Sequence, residues 1–291
     1  MYDIAAYHEP ASIAEAVKTL NDNPRAIIIA GGSDVLIRIR DGKKPNAELV
    51  SIRNISELRG VTISADGNIV IGPATPFSKI AANADILKYI PIVAEGVSQV
   101  GGPQVRNIGT IGGNVSNGAT SADSAPSLFA LNAKLKLQGP EGVRVVNIAD
   151  FYKGPGKVDF KPAEMLTQII IEKNDYENYG GQYIKYSMRK AMDIATLGVC
   201  AWCKVDGKRI VDLRIALGVA APTPMRCTKA EAEAVGKEFS AELVANVAGI
   251  ALKEARPRTS WRASREFRLQ LVYELVTRAV NEAYKRAGGI M

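Results

Sequence analysis

Apolar and polar positions alternate along this chain with two periods, and the places where the period changes divide it into elements. Ser12-x-x-Glu15 has the form of a capping box, opening a helix whose apolar residues Ile13, Ala16, Val17 and Leu20 share one face and which ends near 21–24. A β-rich run at 26–30 feeds Gly31-Gly32-Ser33-Asp34, after which 35–39 reads as a short helix, 49–52 as a strand and 56–59 as a helical turn. This opening forms a small β-α-β unit. Two strands follow within 63–75 around the hairpin signal Asp66-Gly67, and 77–82 and 92–100 are helical by pattern, the second starting after Pro91. A helix at 127–131 precedes a second hairpin, 134–138 and 144–148, turning on residues 139–142; a loop at 154–156 leads to a strand at 165–171 rich in branched residues.

The polar stretch 175–181 reads as a linker. Beyond it, 183–188, 197–205 and 210–219 read as three strands, the last two joined at Asp206-Gly207, followed by helices at 229–235, 241–255 and about 261–286. In the last helix Phe267, Leu271, Leu275 and Ala279 recur at four-residue steps beside Val272, Val276, Val280 and Ala283, the stripe of a helix packed on a core. The pattern is that of an α+β protein in two parts, with mostly antiparallel sheet.

Candidate chemistry concentrates in two glycine-rich stretches. Residues 106–126, RNIGTIGGNVSNGATSADSAP, interleave Gly109, Gly112, Gly113 and Gly118 with short hydroxyl and amide side chains. Glycine allows close backbone approach, so such a segment suits a polyanion held by N–H groups and short donors. Residues 27–36, IIIAGGSDVL, have the strand-then-turn form of a nucleotide loop, and a helix start there aims free N–H groups at an anion. This upstream stretch is neither a P-loop nor a G-x-G-x-x-G fingerprint. Either glycine pair alone is compatible with a tight turn; together, with the hydroxyl-rich tail, they point to a ligand.

Composition removes several classes. With 47% hydrophobic and 23% charged residues the chain is an ordinary globular one, and no run approaches the length of a membrane span or shows the form of a secretory signal, so a cytoplasmic location is the expectation. Cys200-x-x-Cys203 invites a redox or zinc reading, but residues three apart in a strand point to opposite faces, and His8 is the sole histidine available to complete a metal site. Three cysteines cannot supply the four thiolates of an iron–sulfur cluster. No Ser-His-Asp set, Cys-His pair or metal cluster is legible, so no catalytic residue and no metal ligand is assigned. The net charge of +7 gathers around Lys253, Arg256, Arg258, Arg262, Arg265 and Arg268, interrupted by Glu254 and Glu266, which reads as a solvated helix face or a protein-docking surface rather than a nucleic-acid site.

The segments AGGSDVL at 30–36, RNIGTIGGN at 106–114, SADSAP at 121–126 and KYSMRKAMDIAT at 185–196 resemble the FAD-binding medium subunit of the molybdenum hydroxylases, a family that includes xanthine, carbon monoxide and nicotinate dehydrogenases. The resemblance runs nearly end to end. Within the family, GVAAPTPMRC at 218–227 and RTSWRASREFRL at 258–269 are most similar to the bacterial xanthine dehydrogenase branch. The resemblance implies a two-part FAD-binding domain of the vanillyl-alcohol oxidase/p-cresol methylhydroxylase type at 1–176, with subdomains about 1–55 and 56–176, and a C-terminal domain at 177–291 of a three-stranded antiparallel sheet and three helices.

It further implies that Ile27, Ile28, Ile29, Ala30, Gly31, Gly32, Ser33, Asp34 and Val35, with Gly109, Thr110, Ile111, Gly112, Gly113 and Asn114, surround the FAD pyrophosphate and ribityl chain. Asp123 would be an acceptor in the same region, Met165 or Leu166 would give backbone contacts, and Lys185 would lie close to the isoalloxazine. Each has a plain alternative: Asp34 as cap of the helix after its loop, Asp123 as cap of the helix near Ser127, Lys185 as an exposed strand residue. The implied function is electron transfer from [2Fe-2S] clusters of a small subunit through FAD to NAD+. A molybdenum-cofactor large subunit would oxidise a purine, within a dimer of heterotrimers. A self-sufficient flavin oxidase or reductase, the FAD subunit of another heteroaromatic or aldehyde dehydrogenase, and a scaffold that has lost its flavin remain open beside it.

Overall fold

The computed structural model describes residues 2–290. Strand β1 (Ile4–His8), helix α1 (Ile13–Asp22), strand β2 (Ile27–Ile29), helix α2 (Val35–Arg40) and strand β3 (Ala47–Ser51) form the opening unit, a parallel sheet in the order β1-β3-β2. The capping box forms as the spacing requires: Ser12 Oγ accepts from the Glu15 N–H at 3.2 Å, while Glu15 reaches back to the Ala11 N–H at 2.8 Å. Strand β1 was not expected; most of its residues stay solvent-exposed, so it has no alternating pattern to betray it.

The second layer holds β4 (Val61–Ile63) and β5 (Ile69–Ile71), then six short helices: α3 (Phe77–Ala81), α4 (Ala84–Tyr89), α5 (Pro91–Val97), α6 (Pro103–Ile108), α7 (Ile111–Ser116) and α8 (Ala125–Ala130). Strands β6 (Lys134–Gly139) and β7 (Gly142–Asn147), helix α9 (Ile148–Phe151), the small hairpin β8 (Tyr152–Gly154) and β9 (Lys157–Val158), and β10 (Met165–Ile171) complete it. The five-stranded sheet runs β4-β5-β10-β6-β7, antiparallel throughout. Ile69, Ile71, Leu135, Leu137, Ile169 and Ile171 turn from it onto the short helices, forming the largest core.

The C-terminal part comprises β11 (Tyr179–Tyr186), β12 (Leu197–Asp206), β13 (Arg209–Gly218), β14 (Met225–Arg226), α10 (Thr228–Ala234), α11 (Ala241–Glu254) and α12 (Arg265–Arg286). Its sheet has four antiparallel strands rather than three, because β14 adds a two-residue edge to β13. The sheet is covered on both faces. Leu197, Val199, Ala201 and Cys203 pack with α10, α11 and α12, whereas Cys200 and Trp202 enter the core of the preceding layer. The two cysteines of the C-x-x-C thus lie in different cores, both thiols raised far from ionisation by burial, Cys203 to about 12.

Residues 175–181 do not form the expected linker. Asp175 ends a 3-10 turn, accepts from Arg214 at 2.7 Å and, through its carbonyl, from the Trp202 indole at 2.9 Å. Tyr179, already in β11, donates to Asp212 at 2.6 Å and stacks on Trp202. Asp175 and Tyr179 thus use their polar groups inside the protein, while Glu177 and Asn178 stay exposed.

Candidate cofactor-binding cleft

A cleft of about 700 Å³ opens between the parallel unit and the five-stranded layer, and both glycine stretches border it. Its first wall is the loop from β2 into α2. Gly32 adopts φ +75°, and a Cβ built on Gly31 would stand 2.0 Å from the Ile108 carbonyl oxygen, so the loop can pass the end of α6 only without a side chain. Among the described residues the amides of Gly31, Gly32, Ser33, Asp34 and Val35 meet no backbone or side-chain acceptor, although all five residues line the cleft. Five successive free N–H groups around one left-handed residue make an anion-binding concavity.

The second wall differs from expectation. Residues 111–116 are a helix, not an open loop, and its leading amides are taken: Ile111 donates to Thr75 O (3.2 Å), Gly112 to Pro73 O (2.9 Å), Gly113 to Thr110 Oγ1 (3.2 Å) and Asn114 to Thr110 O (3.0 Å). With the amides of residues 111–114 taken, the start of this wall offers side chains, and those of Asn114, Ser116, Asn117 and Ser121 line the cleft. Gly112 serves packing, since a Cβ there would lie 2.3 Å from Pro73 Cβ, while one on Gly113 would meet only Thr110 Oγ1 within 4 Å. Asn117 ties the walls together, donating to Asp34 at 3.3 Å and accepting from Arg38 at 2.5 Å. Asp34 stands at the N-cap of α2 but its side chain makes no capping bond.

Asp123 lies at the cleft's inner side with a carboxylate shared by two donors, Lys185 Nζ (2.8 Å) and Tyr183 OH (2.8 Å). Lys185 also donates to Gln99 O (3.0 Å) and Asp193 O (2.8 Å), which occupies all three of its protons. The lysine and aspartate side chains are 5% and 7% exposed. Burial lifts the Asp123 carboxyl above its usual range in spite of the lysine, and lifts the Tyr183 phenol well above its own. Ser124, not Asp123, occupies the N-cap position of α8. At the opposite end Glu164 meets Arg144 in a two-pronged pair (2.7 and 2.8 Å), which holds its carboxyl below the usual range.

Of the residues assigned by resemblance, Ile27, Ile28, Ala30 to Val35, Thr110, Gly112, Gly113, Asn114, Asp123, Met165 and Leu166 come together around the cleft. Ile29 turns beneath it against Ile39 and Leu49, Ile111 enters the main core, Gly109 accepts from the Phe77 N–H at 3.0 Å, and Lys185 stands behind Asp123. Sequence reasoning missed Pro73, Phe77, Arg38 and Glu164, whose approach depends on tertiary folding, and held Asn117 only as one of the amide side chains of the 106–126 stretch. It also left Asp193 and Ile194 unassigned, although they stand in the 185–196 motif. Among the described residues no group of His, Cys, Asp and Glu is placed to hold a metal, and no helix is long and apolar enough to cross a membrane.

Comparison with known families matches residues 2–172 to the FAD binding domain in molybdopterin dehydrogenase and residues 182–283 to the CO dehydrogenase flavoprotein C-terminal domain. The chain is 42% identical over 289 residues, 99% of each chain, to a xanthine dehydrogenase FAD-binding subunit of Escherichia coli O157:H7. It is 30% identical to a carbon monoxide dehydrogenase medium chain of Hydrogenophaga pseudoflava, covering 96% of this chain and 97% of the other. Carbon monoxide dehydrogenase from the same organism superposes with a TM-score of 0.91 at 30% identity, covering 97% of each chain. Quinoline 2-oxidoreductase from Pseudomonas putida 86 gives the same score at 29% identity and the same coverage.

Proposed function

This chain belongs to the FAD-binding flavoprotein family of the molybdopterin dehydrogenases, and on that premise we propose that it is the electron-exit subunit of a xanthine dehydrogenase-like complex with NAD+ as acceptor. It would receive electrons from the [2Fe-2S] clusters of a small subunit, while a molybdenum-cofactor large subunit oxidises a purine in a cytoplasmic dimer of heterotrimers. The purine and the partners are proposed from the relatives' names and the family. The division near residue 176 into an FAD-binding part and a C-terminal part belongs to the same reading.

The observation that carries the cofactor assignment is the run of five free amides at 31–35, in a loop that lines a cleft of about 700 Å³. A dinucleotide needs a diphosphate site together with apolar walls for its rings, and the cleft provides both: the amide concavity, and Ile27, Ile28, Phe77, Met165 and Leu166 around it. The flavin, when bound, supplies the redox chemistry, and the protein's share is binding, orientation and electrostatics. Gly31 to Val35 would hold the diphosphate, with Asn114, Asn117 and Ser121 as further donors from the facing wall. Asp123 keeps its carboxylate fixed between Tyr183 and Lys185, so an acceptor of set direction faces the cleft. Of the four carboxyl groups bordering the cleft, Asp123, Glu164 and Asp193 are each paired with a cation, and Asp34 accepts from the Asn117 amide.

The test is an absorption spectrum of the purified chain, followed by heat release and chromatography of the chromophore. FAD in near-stoichiometric amount is expected. A folded, colourless chain that takes up no added FAD would refute the cofactor assignment. For the finer claim, the co-purified complex is supplied with xanthine and NAD+; absence of NADH formation, with turnover to an artificial dye intact, would refute NAD+ as acceptor.

A further inference from the structure

The segment joining α11 to α12 and the first turn of α12 together carry five arginines, Arg256, Arg258, Arg262, Arg265 and Arg268, against the single carboxylate Glu266. The joining segment is an ordered turn, closed by the Ser260–Ala263 backbone pair at 3.0 and 3.2 Å and by the Ser264 cap of α12, whose Oγ accepts from Phe267 N–H at 3.1 Å. Arg268, in the first turn of α12, is 3% exposed. Its guanidinium finds a hydroxyl, Ser260 Oγ at 2.8 Å, and its Nε is buried without a partner, as is the Nε of Arg262. Burial, and after it the like charges of Arg258 and Arg262, disfavour the charged form of Arg268, and the positive end of α12 adds to them. A buried guanidinium surrounded by like charge is a site that lacks its anion.

The rim indicates what brings that anion. Trp261 is 78% exposed, with the Arg262 guanidinium 4.2 Å above its ring. Phe267 and Tyr186, both partly exposed, meet edge to face at 5.8 Å, and Tyr186 leads into the exposed Met188. Trp, Tyr, Phe, Met and Arg are the residues enriched at the centres of protein interfaces. A free oxyanion would call for more polar donors on the rim, whereas this one is aromatic. We propose that the cluster of Arg258, Arg262 and Arg268 is a docking surface for a partner subunit of the complex, which seats an Asp or Glu carboxylate against Arg268 and Arg262 while Trp261 packs on its apolar neighbours. The proposal rests on the reading of this chain as one subunit of a larger enzyme.

The test measures binding of the full-length, FAD-loaded chain to the co-expressed remaining subunits, with FAD content and thermal midpoint recorded on the same samples. Arg268→Met removes an unneutralised buried charge, so the isolated chain keeps or raises its midpoint, while the dissociation constant rises by about tenfold or more. Trp261→Ala, at an exposed position, weakens assembly with the midpoint unchanged. Should Arg268→Met fail to fold, Trp261→Ala and Arg262→Gln decide alone. Wild-type dissociation constants for all three variants, with FAD retained, would overturn the docking surface and leave the cofactor reading standing. Stabilisation of the isolated chain by phosphate, lost in Arg268→Met while assembly is unchanged, would overturn it in favour of a free-anion site. A chain that assembles normally but holds no FAD would instead fail the cofactor reading.

Discussion

Gly31→Ala is the sharpest test of how the cleft is built. The new methyl carbon would stand 2.0 Å from the Ile108 carbonyl oxygen, 2.7 Å from its carbon and 3.0 Å from Gly109 Cα, all backbone atoms that cannot rotate aside. Ordinary carbon contacts lie near 3.5 Å, so the loop and the end of α6 must separate by roughly 1 Å or more. Forcing such a shift costs about 1–3 kcal/mol in stability. The larger effect falls on the ligand, because the displaced backbone is the one that carries the free amides of residues 31–35. Hydrogen bonds to a charged acceptor are worth about 1.5–3 kcal/mol each, so misaligning two of the five weakens FAD by roughly 3 kcal/mol or more, over ~100-fold. FAD titration followed by flavin fluorescence, with urea unfolding of the apo-chain, measures both. Gly249→Ala is the control: it lies in α11 with nothing within 4 Å of the added carbon, so it leaves FAD binding unchanged and stabilises by about 0.5–1 kcal/mol. Wild-type FAD affinity in Gly31→Ala would refute the argument that the loop is held by close backbone approach.

Three further predictions concern the buried charges and thiols. Lys185→Met leaves the Asp123 carboxylate buried with Tyr183 as its sole remaining side-chain donor, and costs about 3–5 kcal/mol by urea unfolding, part of which Asp123→Asn in the same chain restores; an unchanged midpoint would show the pair to be idle. The Glu164 carboxyl is held below its unfolded value by Arg144, so its contribution is present above about pH 4.5 and is lost as pH falls through the lower folded value. Glu164→Gln should flatten that acid limb of the stability curve, and an identical limb in the variant would contradict the assignment. Cys200, Cys203 and Cys227 are buried with thiols raised by burial, so a thiol reagent labels none in the native chain and all three in denaturant; fast native labelling would show that the sheet between the two cores opens.

Much of the fold was legible because it is periodic. The stripe on α12, the hairpins at Asp66-Gly67 and Asp206-Gly207, and strand β10 all follow from side-chain spacing, and the opposite orientation of Cys200 and Cys203 follows from the two-residue repeat of a strand. What escaped was structure held by particular contacts. Helices α6 and α7 have no amphipathic period; α6 begins on Pro103 and α7 on the Thr110 cap, and glycine content made the second read as a loop. The site was half legible. Both glycine stretches border the cleft, but their roles divide in a way no spacing announces: residues 31–35 leave their amides free, and residues 111–114 bond theirs to Pro73, Thr75 and Thr110. Lys185 looked like a cation for the ligand, and folding gave it three oxygen partners behind Asp123.

That arrangement makes the cleft a joint product of both parts of the chain. Asp123 belongs to the hydroxyl-rich stretch, yet both of its donors, Tyr183 and Lys185, stand on β11 of the C-terminal sheet. The same ammonium grips Gln99 O, just beyond α5, and Asp193 O in the loop whose Asp193 and Ile194 border the cleft. Arg286 near the end of α12 adds a second tie, reaching Glu95 of α5 at 2.5 Å, and the Tyr183 amide reaches the same carboxylate at 2.7 Å. Trp202 and Cys200 then fill the core beneath. The C-terminal sheet therefore does more than cover an apolar face. It fixes the direction of an acceptor in the cleft, and it does so through groups that a shift of β11 by one residue would turn to the opposite face.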